Sequence, residues 1–249
     1  MKFVNTYVKA FILFLALATL GWSYIPPSHF LVRTMTQKKS ALKNLKSDWV
    51  WVRGEPPQDR VTSQLLYDSL QRRWKMVFKN DQGELLYGIG SESNPPVGPV
   101  FRLLLDTSAQ TTIEALQRAG FKLPEEGVLG PTDPLRLDRQ GTQVSWVIGD
   151  GPELWIEKDR FLATFWRNQA GTQNITFLGF RFQREFPFPK SLELREGSDR
   201  SAPVKVKIEI QSLQTQLDSK DFQRQFQGLH LPENRSLPSW LEEVLPWIL

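Results

Sequence analysis

The groups that could do chemistry are few and scattered. The chain has two histidines, His29 and His230, and no cysteine. Imidazole suits general acid–base work near neutral pH, but His29 follows Pro26-Pro27 and His230 lies in the tail, far from any shared strand. The missing thiol excludes disulfides, a cysteine nucleophile, thiolate metal sites and a lipid-anchored cysteine behind a signal. Adjacent carboxylates occur at Glu125-Glu126 and Glu242-Glu243. Neighbours on a strand or helix point apart, so neither pair makes an acid–base dyad by itself. Asp133, Asp138, Asp150 and Asp159 stand at turn-like positions, where aspartate is favoured for backbone reasons. No HExxH, GxSxG, SxxK, phosphate-loop or EF-hand spacing occurs. These residues read as a protein that is not an enzyme and holds no metal or cofactor.

The elements behind them carry more information. From Leu137 to Gln211 aromatic and β-branched residues alternate with charge, and turns are marked at Gly141, Asp150-Gly151, Lys158-Asp159, Ala170-Gly171 and Gly197. Period-two patterning at those spacings predicts an antiparallel meander rather than βα units. Trp146 and Ile148 share a face with Val144; Leu154 and Ile156 oppose Trp155 and Glu157; Leu192 and Leu194 oppose Glu193 and Arg195. Val204, Val206, Ile208 and Ile210 stand against Lys205, Lys207 and Glu209. Such strands build a half-buried sheet with one wet and one dry face.

Upstream, Pro26-Pro27 breaks the chain, and Leu31, Met35, Leu42 and Leu45 recur at helical offsets, predicting a helix over 28–45 with Ser28 as N-cap. "LKSDWVWVRGE" reads as a strand with Trp49/Trp51 and Val50/Val52 on opposite faces, ended by Pro56-Pro57. Residues 61–80 give one or two strands, and Asp81–Glu84 a hairpin turn into "LLYGIGS". A loop at "SNPPVGP" leads to two helices within 99–120, the second capped by Ser108 or Thr107 and stopped at Gly120; "KLPEEGVLGPTDP" is a further loop. The tail ends in an apolar helix carrying Trp240, Leu241, Val244, Leu245, Trp247, Ile248 and Leu249, interrupted by Pro246. So apolar an end should pack on the body or on a partner or membrane.

Lys2 and Lys9 precede the apolar run Ala10–Trp22. A short apolar stretch behind a positive start fits an export signal, since a membrane span wants roughly 20 apolar residues. The alternatives are cleavage before Tyr24 and an uncleaved inner-membrane anchor. The net charge of +4 becomes +2 once residues 1–23 are removed, because two lysines and no acid go with them. The densest basic patch, Gln37–Asp48, reads as a solvated helix face, and nothing suggests nucleic acid. Asn174 and Asn234 sit in Asn-x-Thr/Ser sequons that are chance matches in a bacterial host.

"VSWVIGDGPELWIEKDRFLATFWR", followed by "ITFLGFRFQREFPFPKSLELREGSDRSAPVKVKIEIQSLQTQLDSKDF", resembles the LolA/LolB-like periplasmic lipoprotein-carrier superfamily, specifically its outer membrane lipoprotein-sorting-type relatives. "LWIEKDRFL" resembles the family's strand–turn–strand, "FPFPKSLEL" its proline-led strand, and "VKVKIEIQSLQTQLDSKDF" its last strand and exit. Ala163-Thr164 depart from the proline common after the "FL" pair, and the helical insertion and tail are long. The resemblance implies an α+β fold, an unclosed antiparallel β half-barrel with helices on its concave face, over residues 28–222, followed by a tail, 223–249. It implies a periplasmic protein binding lipid or acyl chains in lipoprotein or lipid trafficking. The concave face would offer Trp146, Ile148, Leu154, Ile156, Phe177, Leu192, Leu194, Val206 and Ile208, with the helices around Leu31–Leu45 and Ser108–Ala119 as lids. The family's lid-holding arginine falls near Arg72-Arg73. The alternative is a non-catalytic envelope interaction protein whose cavity is filled by its own side chains and whose tail helix plugs it or docks an envelope partner.

Overall fold

The computed structural model describes residues 25–54, 59–92, 98–124, 132–229 and 236–249. The strands are β1 (Asn44–Arg53), β2 (Asp59–Asp68), β3 (Arg73–Lys79), β4 (Leu85–Ser91), β5 (Leu135–Gln140), β6 (Gln143–Ile148), β7 (Glu153–Glu157), β8 (Ala163–Arg167), β9 (Gln173–Gln183), β10 (Phe186–Glu196) and β11 (Val204–Thr215). The helices are α1 (Ser28–Gln37), α2 (Pro99–Leu105), α3 (Ala109–Arg118), α4 (Ser219–Gly228) and α5 (Ser239–Ile248).

All strands join one antiparallel sheet in the order β4-β3-β2-β1-β11-β10-β9-β8-β7-β6-β5. Two meanders, β1–β4 and β5–β11, are therefore stitched together where β1 pairs with β11. β4 and β5 are the outermost strands, so the segment between them must travel from one edge of the sheet to the other. That segment carries α2 and α3, and their apolar residues share one cluster with the sheet's inner face. The protein is an α+β unclosed half-barrel with helices over its concave side. Register shifts at Asp48/Trp49, Phe78/Lys79, Trp155/Ile156 and Leu194/Arg195 supply local bends, since a bulge raises twist and curvature.

Local chemistry sets the boundaries. Ser108 caps α3 by accepting from the Thr111 amide, and Gly120, at φ +98°, ends the segment in a conformation that glycine adopts freely. The Asn80 side chain accepts from the amides of Gln82 and Glu84, closing the expected β3–β4 turn. Asp218 caps α4 through the amides of Lys220 and Asp221.

Several expectations are corrected. The first helix ends at Gln37 rather than Leu45, and Pro27 rather than Ser28 is its N-cap. Leu42 keeps helical spacing but lies in the connecting turn, and Leu45 pairs with both Tyr67 and Thr215. Sheet pairing on both sides outweighs a weak local helical pattern. Val204 does not share the face of Val206: the shift at Leu194/Arg195 skips Lys205, and Val204 lines an outer cleft with Lys207 and Glu209. The β9–β10 turn uses Arg184 and Glu185, both at positive φ, without the glycine or asparagine that would have marked it. α4 is an additional helix on the outer face, where Phe222 and Phe226 pack on Leu66. The export signal, Pro56-Pro57, Glu125-Glu126 and His230 lie outside the described residues.

Candidate ligand-binding face

The residues named from the sequence converge. Trp146, Ile148, Leu154, Ile156, Phe177, Leu192, Leu194, Val206 and Ile208 are all buried in one apolar cluster. Register explains why. Trp146 stands opposite Ile156, and Ile148 opposite Leu154, which in turn faces Trp166. Across the middle of the sheet a row runs Trp51–Ile208–Leu192–Phe177, and a second runs Val206–Leu194–Ile175–Trp166. Because side chains alternate with period two, rows in register share a face.

The face is larger than those residues. Trp49, Trp51, Leu65, Trp74, Met76 and Phe78 extend the same cluster across β1–β3. Trp51 lies 5.7 Å from Phe78, and Trp49 6.4 Å from Phe188. The indole nitrogens of Trp49 and Trp51 donate to the hydroxyls of Ser47 and Ser63, each at 2.8 Å, so these rings enter the dry face with their polar atoms satisfied. The W-V-W-V alternation at 49–52 was the signal for this half of the face.

Helices cover it. Leu31, Val32 and Met35 of α1, Val100, Phe101, Leu103, Leu104 and Leu105 of α2, Leu116 of α3 and Trp240, Leu241, Val244 and Ile248 of α5 belong to the same cluster. The tail helix thus packs on the body, and the backbone carbonyl of Leu249 accepts from the Gly98 amide. An apolar cleft of about 260 Å³ remains between α5 and β4, lined by Tyr87, Ile89, Leu237, Leu245 and Leu249. Toward β8–β10 a slot of about 20 Å³ lies among Met35, Lys39, Leu103, Leu104, Phe177 and Phe180. That is room for one water.

A polar cluster borders the slot. Lys39 is only 3% exposed and donates to the Leu103 carbonyl at 2.8 Å. Burial pushes its amine down to about 8, with Asp106 pulling the other way. Asp106 accepts from Arg102 Nη1 at 3.0 Å, Thr111 Oγ1 at 2.5 Å and the Ser108 amide at 3.1 Å. Burial, with Asp106, holds the Tyr67 phenol well above its ordinary value. Sequence reading missed Lys39, placing it on a solvated helix face; the turn after α1 directs it inward instead.

The scattered chemical candidates are not brought together. Glu243 pairs with Lys205, Asp133 accepts from the Lys122 amide, and Asp150 pairs with Arg136. Arg73 pairs with Asp68 and stacks on Phe226, fastening α4 to the outer face. Asn174 is fully buried and donates to the Gly197 carbonyl, so its sequon is inaccessible. Among the described residues no group of three or more His, Asp or Glu could hold a metal, and no helix is long and apolar enough to cross a membrane.

No protein-family model matches the chain, and no curated protein matches it. Solved structures similar to it include a LolA superfamily protein from Nitrosomonas europaea, at 11% identity and a TM-score of 0.48 over 81% of this chain and 100% of that one. MucB in complex with MucA(peri) is similar at 10% identity and a TM-score of 0.32, over 77% of this chain and 57% of that one. An uncharacterized conserved protein from Thermus thermophilus is similar at 11% identity and 0.31, over 77% and 91%.

Proposed function

We propose that this chain is a non-catalytic, exported binding protein of the LolA/LolB-like kind. It takes acyl chains of a lipid or lipoprotein on the concave face of its half-barrel in the periplasm. Residues 1–23 act as the signal, 28–222 as the half-barrel domain and 223–249 as a tail whose helix fills the face when no ligand is present. The observation that carries this reading is the continuous apolar face that runs across the sheet from β3 to β6 under helices supplied by separate segments of the chain. Here α5 reaches the face at the end of the chain, after α4 has packed on the opposite side of the sheet. Each methylene that replaces protein contacts there is worth up to ~0.8 kcal/mol on leaving water.

The envelope interaction protein with a self-filled face is the second reading, favoured by the burial of Leu241, Val244 and Ile248 in that cluster. Native mass spectrometry with solvent extraction separates the two. Residues 24–249 and 24–236 would be purified from the periplasm, with circular dichroism confirming that both fold. Acyl species at one per chain on either form support the first reading. Empty protein in both, with no uptake of added phospholipid, overturns it.

A further inference from the structure

Resting on the acyl-chain reading above, we propose that Lys39 anchors an anionic headgroup, and that the ligand at this end of the face is a long-chain carboxylate with its single chain along the adjoining slot. Lys39 is buried beside Met35, Leu104, Ala163, Phe177 and Phe180. An ammonium carries three donors, and the described protein partner of Lys39 is one carbonyl, that of Leu103. This bond caps the end of α2, where the last carbonyls lack partners within the helix. A lysine reaching in from water could do as much, so capping alone does not explain a buried ammonium.

The charges do not balance either. Asp106, the carboxylate that acts on Lys39, is already bound by Arg102, Thr111 and the Ser108 amide. Arg102 shares that carboxylate, so Asp106 compensates the Lys39 charge only in part. With its amine near 8, it is protonated at neutral pH. A buried charge that is only partly compensated is costly, and an arriving anion relieves that cost.

The chemistry of the headgroup follows. An ammonium takes carboxylate or phosphate as a point charge; with one cation and no guanidinium in the lining of the slot, a singly charged carboxylate is the headgroup it balances. The slot holds about 20 Å³, so the chain enters by displacing side chains. Met35 is unbranched and repacks readily, and Phe180 is half-buried at the rim. Phe177 links the slot to the larger face.

Titration of the full chain with palmitate and with methyl palmitate, read by tryptophan fluorescence at pH 7, tests the anchor. Palmitate should bind about 10- to 100-fold more tightly, the worth of a charge-assisted hydrogen bond in a dry site. Lys39→Met should reduce palmitate to the level of the ester and leave the ester unmoved. Should that variant fail to fold, the wild-type ratio at about pH 9.5 serves instead. There Lys39 is neutral while the raised Tyr67 phenol stays protonated, so the preference should collapse. Equal binding of acid and ester overturns the carboxylate anchor and leaves the acyl-chain reading standing. Binding of neither overturns both. Lysophosphatidic acid preferred over palmitate, with the same Lys39 dependence, overturns the carboxylate assignment in favour of phosphate.

Discussion

Glu243 on the tail helix α5 lies 2.6 Å from Nζ of Lys205, the residue skipped by the register shift between β10 and β11. Lys205 also bonds Glu196 and sits 5.7 Å from the Trp247 ring. A bulge that breaks the alternation thus turns a lysine toward the helix that closes the face. Both partners are partly exposed, so the pair is worth no more than about 1 kcal/mol. Its removal should nevertheless ease α5 off the sheet. Glu243→Gln is expected to tighten acyl-ligand binding a few-fold at low salt, with the advantage vanishing at about 0.5 M salt. Identical affinities for variant and wild type at low salt would count against a latch.

Lys39 gives the protein a pH dependence of definite sign. Its amine lies near 8 in the folded chain and near 10.5 when unfolded. Across that interval the unfolded chain binds more protons, so stability rises with pH. Tyr67 acts in the opposite sense: its raised value means that the unfolded phenol ionises first, above about 10. The gain should therefore show between pH 8 and pH 10, amounting to about 2 kcal/mol. Lys39→Met should be at least as stable as wild type at pH 7 and should lack this rise. Urea melts at pH 7, 8.5 and 9.5 check both statements.

Leu194 stands between Val206 and Ile175 on the dry face and is fully buried. Leu194→Ala should cost about 2–5 kcal/mol in the empty protein, as buried leucine truncations do. An acyl chain reaching this face would refill part of the void. The rise in Tm on adding palmitate should then be larger for the variant than for wild type. A smaller or equal rise would place the chain elsewhere.

The outer face has its own clamp. The Arg200 guanidinium lies 3.5 Å from the ring centres of both Trp155 and Phe165, and the same 197–203 connection receives the Asn174 side chain at the Gly197 carbonyl. Burial lowers the Arg200 guanidinium to about 10, so it remains a cation at neutral pH. Arg200→Ala should cost about 1–2 kcal/mol through lost cation–π contact, with acyl binding unchanged. Paired denaturation and binding measurements would expose any link between this corner and the concave face.

The meander was legible because period two writes itself into residues such as Trp146/Ile148 and Leu192/Leu194, and its turns carry glycine and aspartate. Curvature was not, because bulges such as the one at Lys205 depend on how two distant strands align. The extent of α1 was misread because Leu42 and Leu45 keep helical spacing by coincidence, and pairing with β2 and β11 decides the matter. Lys39 was hidden by its neighbours: Lys38 and Lys43 are exposed, and composition cannot tell which lysine of such a patch turns inward. The wide apolar face could be inferred residue by residue, but which helix covers it is a property of topology.

Backbone hydrogen exchange of α5 tests the central claim most directly. If the tail helix occupies the ligand's place, amides of Ser239–Ile248 should exchange at least tenfold faster when an acyl ligand is bound, while those of β10 and β11 stay protected. Unchanged or increased protection of α5 with the ligand bound would contradict it.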